Sequence, residues 1–204
     1  MEKGDLWIKN LARNHMKGYV LSDRSQLFPL IESLLFENAV IGCGDSVTLA
    51  DLGVFDFLRN GPYRFLDKFD PSLNKLGRKE LYRKNFMADI FFTGVNALTL
   101  DGKLFNIDGN GSRVAPMLYG PDKVIVVAGR NKMTENLSEA IARTRNIAAH
   151  LDAKRLGKNT PCAKLGHCID CHHLERICND FVCIEGQFDE NRIHVILLDE
   201  DLGY

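Results

Sequence analysis

Lys123-Val124-Ile125-Val126-Val127-Ala128 is an unbroken β-branched run. A strand with one wet face alternates polar and apolar residues, whereas a continuous apolar run suits a strand covered on both faces, as in the middle of a parallel sheet. The stretch therefore predicts a central parallel strand. Working outward, residues 136–151 read as a helix, and Ile193-His194-Val195-Ile196-Leu197-Leu198 as a closing strand. Upstream, Ala97-Leu98-Thr99-Leu100 and Lys103-Leu104-Phe105-Asn106 flank Asp101-Gly102, a strong two-residue hairpin signal, and Ala88-Asp89-Ile90-Phe91-Phe92-Thr93 reads as a strand. Further upstream, Ala39-Val40-Ile41 reads as a strand, residues 47–59 as one amphipathic helix, residues 63–67 as a strand and residues 79–87 as a helix. Apolar spacing over 5–19 and 25–38 predicts two N-terminal helices. Strands alternating with helices give an α/β class with a mostly parallel sheet flanked by helices.

Two glycine-rich segments fall where predicted strands end, the place at which ligands collect on open α/β sheets. In the first, Gly42, Gly44, Asp45, Ser46 and Thr48 turn a strand into a helix, so that backbone N–H groups could face an anion. It matches neither a Walker loop nor a dinucleotide fingerprint, and its plain alternative is a tight turn with Asp45 or Ser46 as helix cap. In the second, Gly94 and Asn96 lie before the hairpin, with Asp108, Gly109, Asn110 and Arg113 beyond it. Here the asparagines could bond substrate oxygens and Arg113 could hold a carboxylate or phosphate as a bidentate fork; otherwise these are turn residues and a surface ion-pair partner. Cys43 at a helix start could have a lowered pKa and act as a nucleophile, or simply be a small filler. His15, His150 and His194 read as packing or surface residues.

Six cysteines occur, five of them between Cys162 and Cys183. Cys162, Cys168, Cys171 and Cys178 have spacing suited to four thiolates around Zn2+ or a [4Fe–4S] cluster, with a thiol-rich loop or redox thiols as alternatives. Cys183, in an apparent strand, reads as packed.

The chain has 204 residues, 45% hydrophobic and 26% charged, with 26 basic and 27 acidic side chains and a net charge of −1. Those values suit one folded domain and supply no global field for nucleic acid or an anionic membrane. The start of the sequence lacks a secretory pattern, which predicts a cytoplasmic protein with reduced thiols. The organisation expected is a single domain over 1–204: N-terminal helices over 1–38, an α/β core over 39–157, an appended cysteine-rich metal-binding segment over 158–187, and a C-terminal strand region over 188–204.

Gly42-x-Gly44-Asp45-Ser46-x-Thr48-Leu49, Thr93-Gly94-Val95-Asn96-Ala97-Leu98-Thr99-x-Asp101-Gly102, Asn106-Ile107-Asp108-Gly109-x-Gly111-x-Arg113, Gly120-Pro121-x-Lys123 and Gly129-Arg130-Asn131-Lys132 together resemble the LUD (lactate utilization) domain family. Thr160-Pro161-Cys162, Cys168-Ile169-Asp170-Cys171 and Arg176-Ile177-Cys178-Asn179 resemble the cysteine-rich tail of its small stand-alone members. The resemblance implies a fold like that of sugar-phosphate isomerases, CoA transferases and formyltetrahydrofolate cyclo-ligase, with a ligand site at the strand ends. It also implies association with multi-component oxidation of lactate to pyruvate, whose larger members carry iron–sulfur ferredoxin segments; this tail lacks the dense ferredoxin cysteine pattern. The expected function is binding of a small carboxylate or phosphorylated metabolite, as an iron–sulfur oxidoreductase component of organic-acid oxidation working with other lactate-oxidation subunits or as a homo-oligomer. The alternatives are a transferase or isomerase on a sugar-phosphate-like or CoA-linked substrate, and a non-catalytic metabolite-sensing subunit.

Overall fold

The computed structural model describes residues 2–204. Its elements run α1 (Glu2–Arg13), β1 (Lys17–Leu21), α2 (Leu27–Leu34), β2 (Val40–Cys43), α3 (Val47–Asp51), α4 (Val54–Asn60), β3 (Arg64–Phe65), α5 (Lys75–Lys84), β4 (Ile90–Thr93), β5 (Ala97–Thr99), β6 (Leu104–Asp108), α6 (Val114–Leu118), β7 (Lys123–Gly129), β8 (Met133–Thr134), α7 (Leu137–Arg143), α8 (Ala149–Arg155), α9 (Pro161–Leu165), β9 (Asp180–Ile184) and β10 (Ile193–Leu198).

The run that predicted a central strand becomes β7, inside a six-stranded sheet of order β1-β10-β7-β4-β2-β3 in which every pairing is parallel. Its side chains divide between two cores by the period of two. Ile125 and Val127 pack with Leu27 and Ile31 of α2, Leu49 of α3 and Leu58 of α4 on one face. Val124, Val126 and Ala128 pack on the other, with Trp7 and Leu11 of α1 and with Leu98, Leu104 and Ile184 of a second sheet. Each such aliphatic side chain removed from water stabilises the fold by about 1.5–3 kcal/mol. The second sheet, β8-β5-β6-β9, contains the expected hairpin, with Ala97 opposite Phe105 and Gly102 at φ 85° in the turn. Its far face, Ala97, Phe105 and Ile107, packs on Ala140 of α7.

Three expectations change. The N-terminal region is not helices alone: α1 ends early, His15 turns the chain at φ 55°, and residues 17–21 form β1 beside β10. The helix expected over 47–59 is two helices, because Gly53 takes a left-handed φ of 71°. The cysteine-rich segment is not merely appended, since β9 pairs with β6 from Leu104↔Ile184 to Asp108↔Asp180.

His194 lies on β10 with only 4% of its surface exposed. Its Nε2 meets the Asn191 carbonyl at 2.9 Å, so that nitrogen carries the proton and Nδ1 accepts from the Tyr19 hydroxyl at 3.0 Å. Burial pushes its pKa down from 6.5 to about 4. The unfolded chain therefore takes up a proton first as pH falls through that window, and stability should drop by about 2 kcal/mol between the two values. Urea midpoints measured across this range should show the drop in the wild type and a flatter profile in His194→Gln.

Candidate functional site

The carboxyl ends of β2, β4, β6 and β7 open into a cleft of about 420 Å³. Of the residues expected to form a site, Gly44, Asp45, Ser46, Gly94, Asn96, Asp108, Gly109, Asn110 and Arg113 line it. Gly42 does not: it lies under the Asn85 side chain, whose Oδ1 would come within 2.5 Å of a Cβ there. Thr48 sits behind the wall, holding Lys132.

Two of the glycines make room for neighbouring side chains. A Cβ on Gly44 would meet Arg113 Cγ at 2.8 Å, and one on Gly94 would meet Ser46 Oγ at 2.6 Å. Ser46 Oγ accepts from Leu49 N at 3.2 Å and caps α3. Asn110 Oδ1 takes Ser112 N at 3.2 Å as a turn. The Asp108 carboxylate accepts the N–H groups of Gly109, Arg113 and Val114, fixing the start of α6 and hence the Arg113 backbone. Cys43 is a buried filler, and burial pushes its thiol up to about 12 instead of lowering it.

Arg113 is not a free fork. Its Nη1 donates to Asn106 Oδ1 at 2.7 Å, and Nη2 donates to Asn96 Oδ1 and the Ile107 carbonyl, each at 2.9 Å. Those three acceptors are neutral, so they orient the guanidinium without neutralising it; Asp108, Asp152 and Asp45 favour its charge without forming an ion pair with it. Lys132, 4% exposed and beyond the end of β7, is similar: Nζ donates to Thr48 Oγ1 at 2.9 Å. Burial first, then the nearby Arg143 and Arg113, push the Lys132 pKa down to about 7. Arg143 bonds the carbonyls of Asn131 and Asn96 at 2.9 and 2.6 Å. Among the described residues none of these three cations forms an ion pair.

A second cluster in the lining is balanced. Asp45 contacts Lys68 at 3.5 Å and Arg155 at 3.2 Å; Arg155 also holds Asp152 at 2.7 Å, and the Tyr204 hydroxyl donates to Asp152 at 2.8 Å. Burial works to raise the Asp45 pKa, but Lys68 and Arg155 outweigh it and hold the carboxyl below its ordinary value. The lining thus combines this neutralised cluster with an overall excess of lysine and arginine over carboxylates. Lys68, Lys132, Asp152, Arg155, Arg176 and Tyr204 line the cleft without having been expected as site residues from sequence. For Lys132 a signal existed, its position three residues past the glycine that ends the central strand.

The family model for the LUD domain matches residues 4–198. The chain belongs to the LUD domain family. A Deinococcus radiodurans crystal structure described as a DUF162 family protein is similar over 97% of this chain and 96% of that one, with 13% identity and a TM-score of 0.56. Lower similarity extends to ribose 5-phosphate isomerase from Plasmodium falciparum (18% identity, 55% of this chain and 52% of that one, TM-score 0.34) and to eIF2B beta from Chaetomium thermophilum (15% identity, 57% and 44%, TM-score 0.37). No curated protein sequence matches the chain.

In this LUD domain the cysteine-rich segment forms the remaining rim of the cleft through Glu175, Arg176 and Ile177. Arg176 donates to the carbonyls of Cys171 and Cys178 at 2.9 and 2.6 Å, and its buried Nε has no partner among the described residues. Cys162 bonds Thr160 Oγ1 at 3.3 Å, and Cys168 accepts from Asp170 N at 3.4 Å. Burial raises the Cys178 pKa, and Cys168 and Cys171 add to the rise despite the opposing Arg176, so these three thiols feel one another. Yet among the described residues no three His, Cys, Asp or Glu side chains converge on a point that could hold a metal ion. In this arrangement Cys162, Cys168, Cys171 and Cys178 are not gathered into one coordination shell, and no chemistry is routed through a metal. No helix among the described residues is long and apolar enough to cross a membrane.

Proposed function

We propose that this LUD domain binds a small anionic metabolite, a carboxylate or a phosphate monoester, in the cleft at the strand ends, and serves lactate or related organic-acid metabolism. The observation that carries this reading is Arg113, a buried cation on the cleft wall whose side-chain hydrogen-bond partners are neutral oxygens, with the enclosed Lys132 amine lining the same cleft. A buried charge with no carboxylate in direct contact is costly, and an anionic ligand would relieve that cost. The wall carries six lysine or arginine side chains against four carboxylates, so an anion is favoured over a cation. Arg176, whose buried Nε has no hydrogen-bond partner among the described residues, adds a further cation to the rim.

The test is thermal unfolding with pyruvate, lactate, phosphate esters and a CoA ester. A ligand at about a hundred times its Kd should stabilise the fold by about 2.7 kcal/mol, and a flat response across all of these would sink the reading. Whether the cysteine-rich segment takes up metal after rearrangement is decided separately, by counting iron and zinc per chain in protein purified without oxygen. Loss of the metal on changing either Cys168 or Cys171 to Ser would assign those thiols as ligands.

A further inference from the structure

We propose that Lys132 is a Schiff-base lysine, condensing with the carbonyl of a 2-oxo acid whose carboxylate is drawn to Arg113. This rests on the anion-site reading and narrows it to one substrate class.

The geometry separates Lys132 from an ordinary anion-binding lysine. It lies just beyond the carboxyl end of β7, on the cleft wall and almost wholly enclosed. Its one hydrogen-bond acceptor, Thr48 Oγ1, is itself 1% exposed and donates onward to the Leu202 carbonyl at 3.4 Å, so the amine meets a neutral oxygen in a dry setting. Arg113 and Arg143 lie close enough to disfavour a further positive charge on Nζ. Desolvation and a neighbouring cation are the two conditions that turn a lysine into a nucleophile toward carbonyl carbon. A pKa near 7 leaves much of the amine with its lone pair at neutral pH, which serves addition to a carbonyl better than permanent pairing with an anion. Arg113 supplies the charge that a carboxylate next to that carbonyl would seek, and Asn96 and Asn106 hold its guanidinium in place.

The step balances without a co-reactant. Nζ adds to the keto carbon as the C=O π pair moves to oxygen, giving a carbinolamine. That oxygen leaves as water with two hydrogens originating on the amine, and a C=N bond remains. Nothing is oxidised or reduced.

Pyruvate, the simplest stable 2-oxo acid, is the probe. The protein is incubated with pyruvate and sodium cyanoborohydride, weighed intact and peptide-mapped, while thermal unfolding with pyruvate alone is recorded in parallel. The expected result is one reduced pyruvate adduct per chain on the Lys132 peptide. Lactate, which has no carbonyl, should slow its formation and leave no adduct itself. Lys132→Arg should lose the adduct; if that larger side chain prevents folding, Lys132→Met serves as the second variant, with circular dichroism confirming the fold. Stabilisation by pyruvate without an adduct would overturn the Schiff base and leave the anion site standing. No stabilisation and no adduct would overturn both. Adducts spread over surface lysines and unchanged in the Lys132 variants would also overturn the assignment.

Discussion

Lys132→Met should make the protein more stable at neutral pH while removing most of its affinity for anions. The wild-type fold encloses an amine whose pKa falls from 10.5 to about 7, so the unfolded chain binds more protons throughout the interval between those values. Wild-type stability should therefore climb as pH rises from about 7 toward 10.5 and be lowest, with respect to this group, below that window. The thioether has a similar length and no charge to desolvate. It gives up the bond to Thr48, and the net gain expected near pH 7 is about 2 kcal/mol. Urea denaturation at several pH values reads both effects: a higher midpoint in the variant at neutral pH, and a shallower rise on the alkaline side. Anion-dependent thermal stabilisation should shrink at least tenfold in apparent affinity, the exchange of stability for function common at binding sites. A variant less stable than wild type at every pH would mean that the enclosed amine is not strained in the fold.

Arg113→Ala should lose on both counts. The guanidinium ties Asn106, Asn96 and the Ile107 carbonyl together, and so fixes β6 to the loop after β4. Removing three charge-assisted bonds and the stem that fills the space above Gly44 should cost about 2–4 kcal/mol of stability. Anion affinity should fall on the order of a hundredfold, since the oriented charge goes with it. Arg113→Lys separates the roles: a single ammonium restores charge but cannot reach three oxygens from one plane, so part of the affinity should return while stability does not. Arg130→Ala is the control. That side chain is exposed and paired with Asp199 and Asp201, and surface pairs contribute about 0–1 kcal/mol, so both measurements should stay near wild type. If Arg113→Ala binds pyruvate and phosphate as the wild type does, Arg113 has no part in the site.

How much of this was legible in the sequence varies with the range of the forces involved. β7 and β10 were readable because burial on both faces leaves a continuous aliphatic run. The hairpin was readable because Asp101-Gly102 suits a tight turn, and Gly102 does adopt a positive φ. β1 was not, because Leu6, Ile8 and Leu11 continue in phase toward Tyr19, and only the turn at His15 and pairing with β10 make Lys17–Leu21 extended. The glycine loops expected at strand ends do line the cleft, but that Gly44 and Gly94 also make room for Arg113 and Ser46 depends on three-dimensional contacts. Arg113 was visible as a cation near a strand end, but its three neutral partners were not. Lys132 looked like one more basic residue in Gly129-Arg130-Asn131-Lys132 until the fold enclosed it, and Asp152, Arg155 and Tyr204 reach the cleft only through long-range packing.

The placement of β10 also governs when this protein can be finished. β1 has no neighbour in its sheet except β10, and the Tyr19–His194 contact joins residues 175 positions apart. A nascent chain must therefore keep β1 waiting until β10 has been synthesised, with the β7 flank that β10 will cover left open. Truncation upstream of Ile193 would not trim an edge: it would leave β1 without a partner and expose one side of β7. Incomplete chains should accordingly go to chaperones and proteases rather than persist as partly working fragments.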